Sequence, residues 1–209
     1  MKQDDRAVAV LLFGDRRVPR PLAGLPVHKA DLDAAIGPYR RLAVVGADAD
    51  LAAVLTRLLR ADRLDVEVAY VPRRRTRASR IYRLPAGRRA ARRALRGTAR
   101  RVTLVRDETG SVVVGRASWV PPAGERAIRG EAVVDDAVLF DGDVPGVHIE
   151  PTLAVPGLRA RVGRRRWVAG RAVQLGSIGV AVVRDGVPAP RPARRSTFYR
   201  NVEGWLAVR

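Results

Sequence analysis

The chain has 209 residues, 47% of them apolar, a formal charge of +19 and no cysteine. Length and apolar content predict one large or two small folded domains, and the missing cysteine excludes disulfides, thiolate metal sites and cysteine nucleophiles. No uninterrupted apolar run approaches the ~18 residues that a spanning helix needs, and 40 basic residues against 21 acidic ones favour an anionic partner.

From the N-terminus, Asp4 and Asp5 precede the apolar run and no small-residue cleavage site follows it, so no signal peptide is expected. The run itself, AVAVLLF (7–13), reads as a buried strand, and DRRVPRPLAGLPVH as the loop after it. KADLDAAIG reads as a short helix, with Asp31 near its start and Gly37 at its end. RLAVVG (41–46) is a second buried strand. ADADLAAVLTRLLRAD then carries Leu51, Leu55, Leu58 and Leu59 at helical spacing, with Asp48 or Asp50 placed to cap. DVEVAYVP (65–72) is a third strand, stopped by proline. Strands alternating with helices predict a three-layer α/β domain with parallel neighbours.

The stretch 73–101 holds thirteen arginines and no acid. Within it AGRRAARRALRG (86–97) is an amphipathic helix. Ala90, Ala91, Ala94 and Leu95 form its narrow apolar side, and Gly97 is expected as its C-terminal cap. After Gly97 the texture changes to short strands broken by DG, GD and PG turns. The first two are joined at DETG, and the pattern predicts a mainly antiparallel β domain. The expected division is therefore 1–97 and 98–209, with the C-terminal segment returning toward the first domain. VPAPRPARRSTFYRNVE, rich in proline, reads as an extended loop.

Three constellations carry candidate chemistry. In VVGADAD (44–50), Gly46 ends a buried strand where a helix begins. Such a turn seats a phosphate on free N–H groups, or it is simply a tight turn with a cap. Arg73, Arg74 and Arg75 follow a strand that ends at Pro72, at the rim where open α/β sheets bind ligands, and Arg80 lies close behind. Arg88, Arg89, Arg92, Arg93 and Arg96 share one helix face. That face is either merely solvated or set for an anionic surface, since no acid stands four residues away. Among the carboxylates, Asp135 and Asp136 point to opposite faces of a strand, while Asp141, Asp143 and Asp185 read as turn residues beside glycine. His148 and Glu150 share a strand face without a third metal ligand. No metal site is predicted.

From about residue 41 onward the order of features resembles the bacterial diacylglycerol kinase and related lipid kinase family, which shares its fold with NAD kinases. LAVVGADADLAAVLTRLL stands where that family has strand, Gly-Gly-Asp-Gly-Thr loop and helix. VAYVPRRRTRASRIYRLPAG stands where it has the next strand, a proline and a Gly-Thr-x-Asn-Asp segment. VVRDGVP looks like its Asp-Gly-Glu element. The resemblance implies ATP and Mg²⁺ as cofactors, a nucleotide or lipid as ligand, an interdomain cleft as the site, and roles for Gly46, Asp48 and Asp185. In the loop, Ala47 and Ala49 replace glycines and Asp50 replaces threonine. Near the C-terminus valine follows Asp185-Gly186, and the Asn-Asp pair is absent. The expectation is thus a kinase-like protein that binds a phosphorylated ligand with phosphoryl transfer lost or altered. Gly46 and Asp48 shape its loop, Arg73, Arg74, Arg75 and Arg80 neutralise phosphate, and Asp185 serves a metal or acts as base. The alternative is a non-enzymatic basic module that binds nucleic acid or an anionic membrane. Either would be cytoplasmic, the second also at the membrane surface.

Overall fold

The computed structural model describes residues 6–29 and 31–209; Asp4 and Asp5, and Ala30 within the first expected helix, lie outside them. In chain order the first elements are strand β1 (Arg6–Leu12), a 3-10 turn (Arg20–Leu22), β2 (Val27–Lys29), α1 (Leu32–Ala35), β3 (Tyr39–Val45), α2 (Asp48–Arg60), β4 (Glu67–Tyr70), α3 (Arg77–Ile81), α4 (Gly87–Arg96) and β5 (Ala99–Val102). Then follow β6 (Val105–Asp107), β7 (Val112–Val113), β8 (Ala117–Val120), β9 (Ile128–Val134), β10 (Ala137–Val144), β11 (Val147–Pro151) and β12 (Leu158–Val162). The last are β13 (Val168–Gly170), β14 (Ala172–Arg184), β15 (Val187–Pro188), β16 (Ala193–Arg200) and β17 (Trp205–Val208). Two compact units result: the residues up to Val102 together with Glu203–Arg209, and Thr103–Val202. Among the described residues no helix is long and apolar enough to cross a membrane.

The first unit is built on a six-stranded sheet, β2-β1-β3-β4-β17-β5. Its strands are parallel except β5, which runs antiparallel to β17. Alternation along β3 divides its side chains between two faces. Ala43 and Val45 join Val10, Leu12, Ala69, Val71 and the alanines Ala90, Ala91 and Ala94 of α4 in one cluster. Leu42 and Val44 face the other way, the side on which α2 buries Leu51, Val54, Leu55 and Leu58. Each fully buried leucine contributes about 2 kcal/mol. The three-layer α/β expectation is met.

Several elements of this unit differ from expectation; the 3-10 turn and the start of β2 fall in the stretch 15–28 read as loop. Ala99–Val102, placed in the β-rich half by a boundary at residue 97, belongs to the first sheet. Its partner is β17, and sequence-distant pairing leaves no local trace. The stretch between Arg75 and Ala86, for which no element is predicted, contains α3. Thr76 caps it by accepting from the Ser79 N–H at 3.2 Å, while Ser79 Oγ accepts from the Thr76 N–H at 2.9 Å. Gly97 ends α4 as expected but not in the left-handed region, since its φ is −71°. It is glycine because a Cβ there would come within 2.7 Å of the Arg93 backbone oxygen and 2.8 Å of Val208.

The second unit is an all-antiparallel assembly of eleven strands, traced β13-β12-β11-β8-β14-β16-β6-β7, with β9, β10 and β15 attached. Thirteen-residue β14 organises it. Its first half pairs with β16 and β9, and beyond an irregularity between Gly176 and Val180 its second half pairs with β8 and β15. The core holds Trp119, Phe198, Ile128, Leu158 and Val173, and the Trp119 indole N–H donates to Ser196 Oγ at 3.0 Å. Here the extended-loop expectation for 187–203 fails. Ser196 and Phe198 alternate inward on an eight-residue strand hydrogen-bonded on both sides, while Pro188, Pro190 and Pro192 all precede it.

A buried cation ties α4 to the sheet. Arg41, only 8% exposed, donates to Glu67 at 2.6 Å, to the Ala94 carbonyl at 2.8 Å and to the Gly97 carbonyl at 3.0 Å. It thereby satisfies two carbonyls at the helix end that have no partner within the helix. Replacing Arg41 with methionine strands Glu67 and both carbonyls. Urea denaturation should show a loss of about 3 kcal/mol, with α4 amides losing hydrogen-exchange protection first.

Candidate functional site

The parallel strands β1, β3 and β4 end side by side, so the segments that follow them share one rim of the first sheet. The register is direct: Val44 pairs with Tyr70, and the Val71 N–H donates to the Val44 carbonyl at 2.8 Å. Gly46 and Arg73 are therefore neighbours in space, as the α/β pattern requires.

The loop after β3 satisfies itself. Ala47 is the N-cap of α2, Asp48 its first residue and Asp50 its third. Asp50 folds back and accepts the Ala47 N–H at 2.7 Å, and Arg16 pairs with the same carboxylate oxygen at 3.5 Å. A Cβ on Gly46 would lie 2.7 Å from the Asp50 side chain, which is why glycine stands there. Gly46 is buried beneath a carboxylate of its own chain. The phosphate seat expected at this turn is thus filled by a resident negative charge.

Asp48 is committed as well. One oxygen accepts the Tyr70 hydroxyl at 2.8 Å and the other the Ala78 N–H at 3.1 Å, joining the start of α2 to the end of β4 and to α3. Burial, and next the Asp48 carboxylate, push the Tyr70 phenol far above its ordinary 10.0. Tyr70 therefore keeps its proton, and the bond, across the whole neutral and mildly alkaline range.

Beside this loop lies a cavity of about 600 Å³ whose lining includes Val45, Val71, Pro72, five arginines and one acid, Asp15. The five are Arg16 and Arg17 from the loop after β1, Arg20 from the 3-10 turn, Arg73 after β4 and Arg88 on α4. Arg16 is spent on Asp50 and on the Phe13 carbonyl. Arg17, Arg20, Arg73 and Arg88 have no ion-pair partner among the described residues. Their donors are available to a phosphate, whose oxygens the guanidinium fork matches.

The expected arginines part company. Arg73 lines this cavity. Arg75 lines a second one, beside α4, and Arg74 is exposed and lines neither. Arg80 is exposed on α3 and turns its Nε to the Thr76 carbonyl at 3.2 Å. The sequence reading missed Arg16, Arg17 and Arg20, and gave Arg88 to the helix face, not to this rim. DRRVPRP follows a strand in the manner of the arginines after Pro72, so the same rim rule, applied to it, finds the first three.

Asp185 belongs to the second unit, in the turn between β14 and β15 at φ +47°. One oxygen accepts the Val114 N–H at 2.9 Å, and the other the Gly115 and Arg116 N–H groups at 2.7 and 2.8 Å. Three accepted amides make this carboxylate an anchor of its turn, where the sequence reading expected a metal ligand or base. Asp135, at φ +49°, works alike and accepts the Arg171 and Ala172 N–H groups. His148 bonds Ser118 at 3.1 Å, and Glu150, buried, is held by Arg116 and Arg159. Among the described residues no three His, Asp or Glu side chains are grouped to hold a metal. With Asp48 and Asp185 also committed, the donor set does not fit the Mg²⁺ that the family resemblance implies.

Two outcomes follow. Asp185→Ala should lower stability by about 3 kcal/mol in urea denaturation, because several backbone amides lose their acceptor; a residue serving only catalysis would leave stability unchanged. Native Tyr70 holds its proton more tightly than the unfolded chain does. Its contribution is therefore complete below pH 10 and shrinks as pH rises beyond it. Tyr70→Phe should cost about 1 kcal/mol at pH 8 and flatten the alkaline decline of unfolding free energy at pH 11.

No protein-family model matches the sequence, and no curated protein is similar to it. The fold, by contrast, has clear counterparts among solved structures. An NAD kinase from Archaeoglobus fulgidus in complex with ATP superposes with a TM-score of 0.66 over 97% of this chain and 93% of that one, at 12% identity. A diacylglycerol kinase from Bacillus anthracis str. Sterne gives 0.72 over 98% and 96%, at 10% identity. A yeast NADH kinase complexed with NADH gives 0.67 over 99% and 84%, at 8% identity. The chain has the fold shared by NAD kinases and diacylglycerol kinases.

Proposed function

We propose that the protein binds the phosphate groups of a nucleotide or phosphorylated small molecule in the arginine-lined cavity at the rim of β1, β3 and β4, and that phosphoryl transfer has been lost. The observation that carries this reading is the set of four arginines without acidic partners around one cavity, at the carboxyl ends of three adjacent parallel strands. Ligands of open α/β sheets lie in that position. The solved neighbours in complex with ATP and with NADH support a nucleotide in particular.

Loss of transfer rests on the carboxylates. Phosphoryl transfer depends on positioned metal ions and an oriented nucleophile. Asp48 is tied to Tyr70 and Ala78, Asp185 to three amides, and Asp50 caps its own helix. The resident Asp50 charge also repels a phosphate at the loop. The anion is held instead by Arg17, Arg20, Arg73 and Arg88, which need no metal to neutralise it.

Isothermal calorimetry and thermal unfolding with ATP, NAD, pyrophosphate and glycerol phosphate, each with and without Mg²⁺, test the reading. At least one should bind saturably at one site and, at a hundredfold excess over Kd, stabilise the fold by about 2.7 kcal/mol. Arg73→Ala and Arg88→Ala should each weaken binding about tenfold to a hundredfold, while Arg165→Ala, in the second unit, should leave it unchanged. Failure of all four compounds to bind would remove the proposal. Transfer of the ATP γ-phosphate to water or to a lipid acceptor would overturn its second half.

A further inference from the structure

Apart from the rim cavity, α4 presents a face that no contact within the protein explains. The helix buries Ala90, Ala91 and Ala94 and exposes Arg88, Arg89, Arg92, Arg93 and Arg96. On one flank runs a groove of about 870 Å³ that adds Arg75 and Arg83. On the other a hollow of about 370 Å³ shares Arg92 and Arg96 with it and reaches Arg20. No acidic residue lines either, and none of these arginines has an ion-pair partner among the described residues.

By itself this arrangement is unfavourable. Arg88 and Arg92, Arg89 and Arg93, and Arg92 and Arg96 are like charges four residues apart, each pair costing about 0.3 kcal/mol. The first turn contains Arg88 and Arg89 and no acid, so it opposes the helix dipole. An external polyanion relieves both effects.

We infer that α4 is a docking ridge for duplex DNA, gripping phosphates on both flanks without reading sequence. The choice of partner follows from what the face lacks. No aromatic residue lines either flank, so single-stranded bases have nothing to stack on. Its one exposed apolar side chain is Leu95, at 38%, and the apolar side of the helix is spent on the sheet. The helix therefore has nothing to insert into a bilayer, where stable anchoring takes an apolar group besides charge. Duplex binding needs only charge and shape. A helix about 10–12 Å across fits a B-form major groove about 12 Å wide. Arg88 to Arg96 spans about 12 Å of its length.

Fluorescence anisotropy with a short mixed-sequence duplex, titrated between about 50 and 200 mM salt, tests this. Six groove arginines predict a slope of log K against log salt near −5. The triple variant R89A/R92A/R96A, which leaves the rim cavity intact, should lose about three of those units and weaken binding accordingly, with a melting temperature that does not fall, since the repulsive pairs are gone. The triple lysine variant, keeping the charge, should retain the slope. An unchanged slope in the alanine variant would overturn the assignment. So would tighter binding to a single strand, or capture by phosphatidylglycerol vesicles without duplex binding. The variant keeps Arg17, Arg20, Arg73 and Arg88, so its small-ligand binding, measured beside its duplex binding, separates failure of this inference from failure of the proposed function.

Discussion

The rim of the first sheet depends on where one carboxylate goes. Asp48 stands at the first residue of α2 and reaches across to the Tyr70 hydroxyl and the Ala78 amide. A charge-assisted hydrogen bond of this kind contributes about 1.5–3 kcal/mol, and two on one side chain make the geometry hard to leave. The end of β4, the start of α2 and the position of α3 are held together by that choice. Arg73 consequently leaves its strand beside Val45 and faces Arg17, Arg20 and Arg88 across a cavity.

The same economy governs the other acidic groups. Asp50 is folded onto its own helix start, Asp185 and Asp135 onto backbone amides in tight turns, Glu67 onto the buried Arg41, and the buried Glu150 onto Arg116 and Arg159. Acids that do internal work leave the basic excess concentrated on the loop after β1, the turn after β4 and helix α4. An electropositive surface assembled this way binds anions by Coulombic attraction and guanidinium geometry, and it needs no donor from a glycine-rich loop. On the proposed reading, Arg17, Arg20, Arg73 and Arg88 beside the loop take over what Ala47, Ala49 and Asp50 remove from it.

Much of the fold was legible along the chain. The buried strands RLAVVG and DVEVAYVP, with the leucine spacing of the helix between them, require parallel neighbours, which put Gly46 and Arg73 on one rim. The DETG turn joins β6 and β7 as its composition says. The misses share a cause. Ala99–Val102 reads as the opening of the β-rich half because its partner, Trp205–Val208, lies about a hundred residues away. β16 was hidden because its prolines stand just ahead of it, while the inward alternation of Ser196 and Phe198 gains meaning only against Trp119. α3 is a single turn whose Thr76–Ser79 cap is too short to show a period.

Sequence alone determined the quantities that are sums or local patterns: the charge excess, the absence of thiol chemistry, the alternation of strands and helices, and the all-arginine face of α4. These depend on residue type and on neighbours within a few positions, which the chain order states directly. Tertiary structure alone decided which charges are spent. Asp48 looks like a phosphate-loop residue and Asp185 like a catalytic carboxylate in their motifs, yet their partners include Ala78, thirty residues on, and Val114 to Arg116, some seventy residues back. A carboxylate's role is set by the donors within about 3 Å of it, and folding brings those donors from segments whose separation along the chain carries no record of the meeting.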